Sequence, residues 1–172
     1  MTISRRSLLL GGPALLGLSG CETTVSKMRT GKSLGATSVV VRKAERRLWL
    51  MQERRVLKGF DIALGSDPVG HKRQEGDGKT PEGAYYVSRK KPDSVYHLAV
   101  GVSYPSTIDV ARARAEGLAP GGDIYIHGQP RGVTGAARIQ GDWTAGCIAV
   151  SNAEIEEIYA AVGEGIPIFI HP

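Results

Sequence analysis

The rhythm of hydrophobic and polar positions changes sharply near residue 38. From Glu22 to about Thr37 the chain is polar, with Thr, Ser, Lys and Gly in no regular period, which predicts a tether without regular structure. Beyond it come three short β-rich runs: Val39-Val40-Val41, then Arg47 to Gln52, then Val56 to Leu64. The charged turns Lys43-Ala44-Glu45-Arg46 and Glu53-Arg54 separate them, so they predict an antiparallel meander. Gly65 to Glu82 is dense in Gly, Asp, Lys and Pro and reads as a long loop, after which Gly83 to Ser88 restarts a strand. His97 to Val102 predicts a further strand.

Helical rhythm is scarce. Ser106 or Thr107 can cap a short helix through Ala111, Arg112 and Ala115, ended by Gly117 and Pro120. Ile124 to His127 follows as a strand. Ser151 or Asn152 caps the one clear amphipathic helix, Ala153 to Val162, with Ile155, Ile158 and Tyr159 on one face. Ile166 to Ile170 closes the chain as a strand. These elements predict one domain, mainly β with some α, over residues 38–170.

The first residues follow a different logic. Arg5 and Arg6 precede an apolar run from Leu8 to Leu18, shorter than the roughly 20 residues a spanning helix needs and fitting the apolar region of an export signal. Ser4-Arg5-Arg6-Ser7-Leu8-Leu9 resembles a twin-arginine signal, and Leu18-Ser19-Gly20-Cys21 resembles the lipobox of bacterial lipoproteins. The expectation is a signal over residues 1–20, lipidation at Cys21, a tether over 21–37, and a cell-envelope, periplasmic location on a membrane. Lipid chains contribute about 0.8 kcal/mol per buried methylene, so several would hold the protein at a bilayer surface.

Charge and cysteine count narrow the chemistry. Of 22 basic residues two lie in the signal, leaving 20 against 17 acidic ones, a net charge of +3 for the mature chain. The basic residues are scattered and aromatics are few, which argues against nucleic acid and suits an anionic wall or membrane surface. There are two cysteines. If lipid takes Cys21, Cys147 is unpaired in an oxidising compartment, which makes it a candidate nucleophile. A thiol nucleophile needs a base and an oxyanion site. His127 ends a strand, precedes Gly128 and lies 20 residues before Cys147, whereas His71 sits in a loop, His97 within a strand and His171 at the chain's end. Gly146 leaves room for the backbone amides of Gly146 and Cys147 to face a carbonyl. One Cys and one His so spaced do not make a metal site, and no cofactor is expected. Gly76-Asp77-Gly78-Lys79-Thr80 lacks the spacing of a phosphate loop.

At these residues the chain resembles the L,D-transpeptidase (YkuD-type) family, over roughly Ser38 to Ile170. His127, 16 intervening residues, and then Thr144-Ala145-Gly146-Cys147-Ile148-Ala149 match the family's motif of a histidine followed by Ser or Thr, His, Gly, Cys, an apolar residue and Asn or Arg. Gly78-Lys79-Thr80-Pro81-Glu82-Gly83 looks like the family's lead-in to a central strand. Ala145 stands where the second histidine is usual and Ala149 where Asn or Arg is usual; Asp142, Trp143 and Asn152 are the candidates for replacement contacts. The resemblance implies mixed sheets folded on themselves with a helix alongside. It also implies Cys147 as nucleophile, His127 as base, and Gly146, Thr144 and Trp143 shaping the site, with peptidoglycan stem peptides as substrate and a thioester intermediate. The acceptor would be a second diaminopimelate, giving a 3-3 crosslink, or a lysine of an envelope protein. The alternatives are a hydrolase using the same site, which trims stems or releases wall-linked protein, and an inactive wall-binding lipoprotein. A monomer is expected.

Overall fold

The computed structural model describes residues 35–172, so the expected export signal, Cys21 and most of the expected tether lie outside the described residues. The described chain forms strands β1 (Ser38–Arg42), β2 (Arg47–Gln52), β3 (Arg55–Asp61), β4 (Gly83–Ser94) and β5 (His97–Val102). Helix α1 (Thr107–Ala115), strands β6 (Tyr125–His127) and β7 (Ile148–Ala149), helix α2 (Asn152–Ala161) and strand β8 (Pro167–His171) complete it. The strands make one mixed sheet in the order β3-β2-β1-β8-β4-β5-β6-β7, a half-barrel with two helices, as the sequence predicts.

The meander forms because its apolar positions alternate. Val39 and Val41 face inward beside Leu48 and Leu50, their cross-strand partners, while β3 contributes Phe60. Burying one such side chain stabilises the fold by about 1.5–3 kcal/mol. The closing strand β8 inserts between β1, which it pairs in parallel, and β4, which it pairs antiparallel; Ile168 and Ile170 are both buried. This insertion needs the whole chain, since it joins residues 39–42 to 168–171. It also makes β4 central, so the segment from Gly78 does lead into an interior strand.

Both helices start with a reciprocal cap. Ser106 accepts from the Asp109 amide and Asp109 accepts from the Ser106 amide; Ser151 and Glu154 do the same for α2. Buried Ile155 and Ile158 place α2 against β5 and β6, with Tyr159 packed at the core's margin.

Two boundaries differ from the sequence reading. Strand β4 runs on from Ser88 to Ser94 because β5 supplies a partner for its polar second half, with shifts of register that accommodate Pro92, which has no amide hydrogen to donate. The short strand β7 was not legible, since two residues carry no period and its formation depends on β6 alongside and on a bridge between Ala63 and Ala149.

The long loop of residues 65–82 is held by two buried ammonium groups. Lys43 Nζ donates to Gly70 O (2.5 Å), Thr80 O (2.9 Å) and Glu82 Oε1 (2.8 Å), and burial lowers its pKa. Lys72 Nζ donates to Gln74 O (3.0 Å) and Asp77 Oδ1 (2.8 Å). Burial alone would push the Asp77 carboxyl up, but bonds from Lys72 and from the Arg73, Lys79 and Gln74 amides outweigh it and bring it down to about 2. A buried charge is tolerable only when so completely bonded.

Candidate active site

Three backbone segments meet where Cys147 sits, and each carries a glycine at the meeting point. A side chain at Gly65 would have its Cβ 2.0 Å from Gly78 O and 3.0 Å from Gly146 Cα. At Gly146 the φ of +131° favours glycine, and a Cβ there would lie 2.6 Å from Lys79 O. The glycine before the cysteine therefore serves close packing against the loop of residues 65–82.

Thr144 closes the turn. Its Oγ1 donates to Cys147 O (2.7 Å) and accepts from the Gly146 amide (3.1 Å). Its own backbone is tied to Leu64 O (3.1 Å) and to the Ser66 amide (2.9 Å). The Gly146 amide is thus engaged inside the turn, so of the two amides expected to face an oxyanion, the Cys147 amide is the one this turn offers.

Strand β6 delivers His127, which is 3% exposed, at its last residue. The Nδ1 atom lies 2.7 Å from Gly128 O, and because a carbonyl only accepts, Nδ1 carries the hydrogen and Nε2 the lone pair. The hydrogen bond of the ring among the described residues is the one at Nδ1, which leaves Nε2 without a protein partner there. Tyr96 stacks on the imidazole with centroids 4.4 Å apart, and Trp143 meets it edge-on at 5.8 Å. The two aromatic rings pack against the imidazole plane; nothing in the spacing of Tyr96 along the chain couples it to His127.

The half-buried Cys147 thiol donates to Asp123 O at 3.4 Å. Burial pushes the thiol pKa up, a backbone bond from Tyr125 draws it partly back, and the Asp123 carboxylate adds to the rise. Burial pushes the His127 pKa down, against the Gly128 bond. Both shifts favour the uncharged thiol and uncharged imidazole, a pair in which proton transfer accompanies attack instead of preceding it.

Cys147 and His127 line one cleft of about 190 Å³ with Tyr96, Ala99, Tyr125 and Lys91. A much larger cavity of about 910 Å³ opens between the loop of residues 65–82 and α1, but it contains neither the thiol nor His127. Among the described residues no group of three or more His, Cys, Asp or Glu could hold a metal ion.

The two departures from the motif fall at dissimilar places. Ala145 is exposed, so the turn does not depend on its side chain. Ala149 is buried, exchanges backbone bonds with Ala63 (2.9 and 2.8 Å), and lines a separate cavity of about 410 Å³ to which Arg46, Asp142 and Gln129 contribute polar groups. There Asp142 bonds the Leu64 amide (2.8 Å) and pairs with Arg46 (2.8 Å). Asn152 instead braces the segment after His127, accepting from the Gln129 amide (2.7 Å) and donating to Val133 O (2.8 Å). Of the remaining histidines, His71 is half-buried, its Nδ1 accepting from the Glu82 amide (2.9 Å). His97 pairs with Glu156 at 2.7 Å, and His171 is exposed at the end of β8.

Comparison with known proteins gives the family and the fold. The profile of the YkuD family, the L,D-transpeptidase catalytic domain, matches residues 36–170. The chain is 33% identical over 165 residues to "Putative L,D-transpeptidase YafK" of Escherichia coli (strain K12), covering 92% of this chain and 60% of that protein. The chain therefore spans a little over half the length of this relative. Among solved structures, the helical cell shape determining protein Pgp2 from Campylobacter jejuni superposes with a TM-score of 0.59 at 26% identity, covering 81% of this chain and 51% of that one. An L,D-transpeptidase from Mycobacterium smegmatis shares the fold at 18% identity and a TM-score of 0.55, over 80% of this chain and 60% of that one. On its sequence match and its fold, the chain belongs to the YkuD family of L,D-transpeptidase catalytic domains.

Proposed function

We propose that the protein is a cysteine-dependent L,D-transpeptidase acting on peptidoglycan tetrapeptide stems through a thioester. The observation that carries this reading is the shared cleft of Cys147 and His127, with Nδ1–H fixed on Gly128 O and Nε2 left to accept. As the sulfur attacks the carbonyl of the third residue, the thiol proton passes to Nε2 and negative charge gathers on the carbonyl oxygen. The Cys147 amide is the donor proposed for that oxygen. Collapse breaks the amide bond, and the imidazolium returns the proton to the departing amine of the terminal D-alanine. An incoming amine then reverses the sequence: it loses a proton to Nε2, attacks the thioester and releases the thiol. Two diaminopimelate residues would be joined by a 3-3 crosslink, or an envelope protein lysine would be attached to the wall. Lipidation at Cys21, and with it a place at a membrane surface in the envelope, belongs to the same proposal.

A second reading is hydrolysis at the same site, in which water takes the place of the amine and resolves the thioester. Incubating the protein with disaccharide-tetrapeptide, with and without an added amine, and weighing the products separates the two: dimer or amine adduct means transfer, tripeptide alone means hydrolysis. Cys147→Ala should lose every product and every covalent adduct; turnover retained by that variant would sink both readings.

A further inference from the structure

The sheet beside the cleft repeats one arrangement twice and completes it once. Strand pairing places Arg89 opposite Gly101 and Gly101 opposite Tyr125; two residues along, it places Lys91 opposite Ala99 and Ala99 opposite His127. Directly paired residues share a face, so each row is a cation, a small residue and a ring across two interstrand steps of about 4.8 Å each. In the first row the cation reaches over. Arg89 Nη2 bonds Asp123 Oδ1 at 2.8 Å and the Tyr125 hydroxyl, and the guanidinium lies 5.2 Å from the Tyr125 ring centroid. The small residue permits this, since a Cβ at Gly101 would lie 3.1 Å from Arg89 Cγ.

In the second row the same span is open. Ala99 is buried beneath it, Lys91 and His127 both line it, and the space between them is the cleft that contains Cys147. Lys91 is exposed and has no ion pair or hydrogen bond among the described residues. Asp123, the acidic residue on the cleft, is already paired with Arg89. A mobile ammonium on a four-carbon stem thus faces a thiol across a small residue, with no protein carboxylate to neutralise it.

We infer that Lys91 is the substrate-anchoring residue of this site, receiving a free carboxylate of the acyl donor over Ala99 while the neighbouring carbonyl faces Cys147. The identity of that carboxylate rests on the proposed stem-peptide reading; the cation's place rests on the strand register alone. A tetrapeptide stem offers three carboxylates: the α-carboxylate of the γ-linked D-glutamate, that on the side chain of diaminopimelate and that of the terminal D-alanine. Any of them would complete the second row as Asp123 completes the first.

The test begins without stem peptides. Alkylation of Cys147 is followed by peptide mass spectrometry with iodoacetate, which is anionic, and iodoacetamide, its neutral counterpart. At low salt the iodoacetate to iodoacetamide rate ratio should fall about threefold or more in Lys91→Met and stay near wild type in Lys91→Arg, and added salt should shrink the difference. An unchanged ratio in Lys91→Met would overturn the inference whatever the substrate proves to be. A changed ratio with no turnover of stems would sink the proposed function and leave the anion-binding role standing. With stems, Lys91→Met should raise KM about tenfold or more at similar kcat. That penalty should vanish on the stem amidated at whichever carboxylate Lys91 holds; a penalty kept on all three singly amidated stems would overturn the inference.

Discussion

Two of the cavities formed by the described residues have opposite character, and their contrast supports the proposed site at Cys147 better than their size does. In the large one, of about 910 Å³, the buried Asp109 accepts from the Ser106 amide (2.9 Å), the Ser106 hydroxyl (2.7 Å) and the Tyr85 hydroxyl (3.1 Å), and lies 3.0 Å from His71 Nε2. That carboxylate joins α1, β4 and the loop of residues 65–82, and its bonding capacity is spent on doing so. In the small one, of about 190 Å³, the imidazole lone pair and the Lys91 ammonium have no protein partner among the described residues. A carboxylate bonded on several sides holds a fold together, while unpaired groups beside a thiol are free to meet substrate.

The sharpest way to break this contrast is to remove the base. His127→Gln should cut acylation of Cys147 by about 10²–10⁴-fold, measured as the rate of adduct formation with a stem peptide, while thermal unfolding changes much less. Should acylation persist at near the normal rate, the small cleft would lose its claim.

Gly146→Ala should come next, since it acts on both the fold and the site. Strain at φ +131° together with overlap on Lys79 O should cost about 2–5 kcal/mol, read from denaturant unfolding, and should displace the thiol enough to slow its alkylation. Normal stability in this variant would mean that the loop of residues 65–82 yields easily.

Asp109→Asn tests the large cavity. It should cost about 1–3 kcal/mol and leave acylation of Cys147 unchanged, which activity and unfolding measured on one sample will show. Burial raises the Asp109 carboxyl pKa, but bonds from Ser106 and Tyr85 and the nearby His71 outweigh it, so the folded value lies below the ordinary one. The stability this contributes is therefore present above about pH 4 and is lost as pH falls through the folded value. The gap between wild type and the variant should close over that acid range.

The smallest expected effect is in the pH profile. With His127 lowered by burial, the acid limb of acylation should fall below the ordinary imidazole range of about 6.5. With Cys147 raised by burial, its alkylation by iodoacetamide should be slower near neutrality than that of a free thiol and should keep rising into alkaline pH. A thiol that reacts fully at neutral pH would point to a preformed ion pair instead.

Some of this was readable along the chain and some was not. Alternation in Val39, Val41, Leu48 and Leu50 determined the meander, and the Ser106 and Ser151 caps determined where both helices begin, because these are contacts between near neighbours. The spacing of His127 and Cys147, and the glycine between Ala145 and the thiol, likewise stood in the sequence. Tertiary structure alone decided that β8 inserts between β1 and β4, that Tyr96 stacks on His127, and that Lys91 ends a row whose far end is His127. It also decided that the Gly146 amide turns inward to Thr144. The physical reason is the same in each case. Periodicity and capping are short-range and leave a mark in sequence order, whereas strand register and ring stacking join residues tens of positions apart, and a side chain's lack of a partner is a property of the whole folded surroundings.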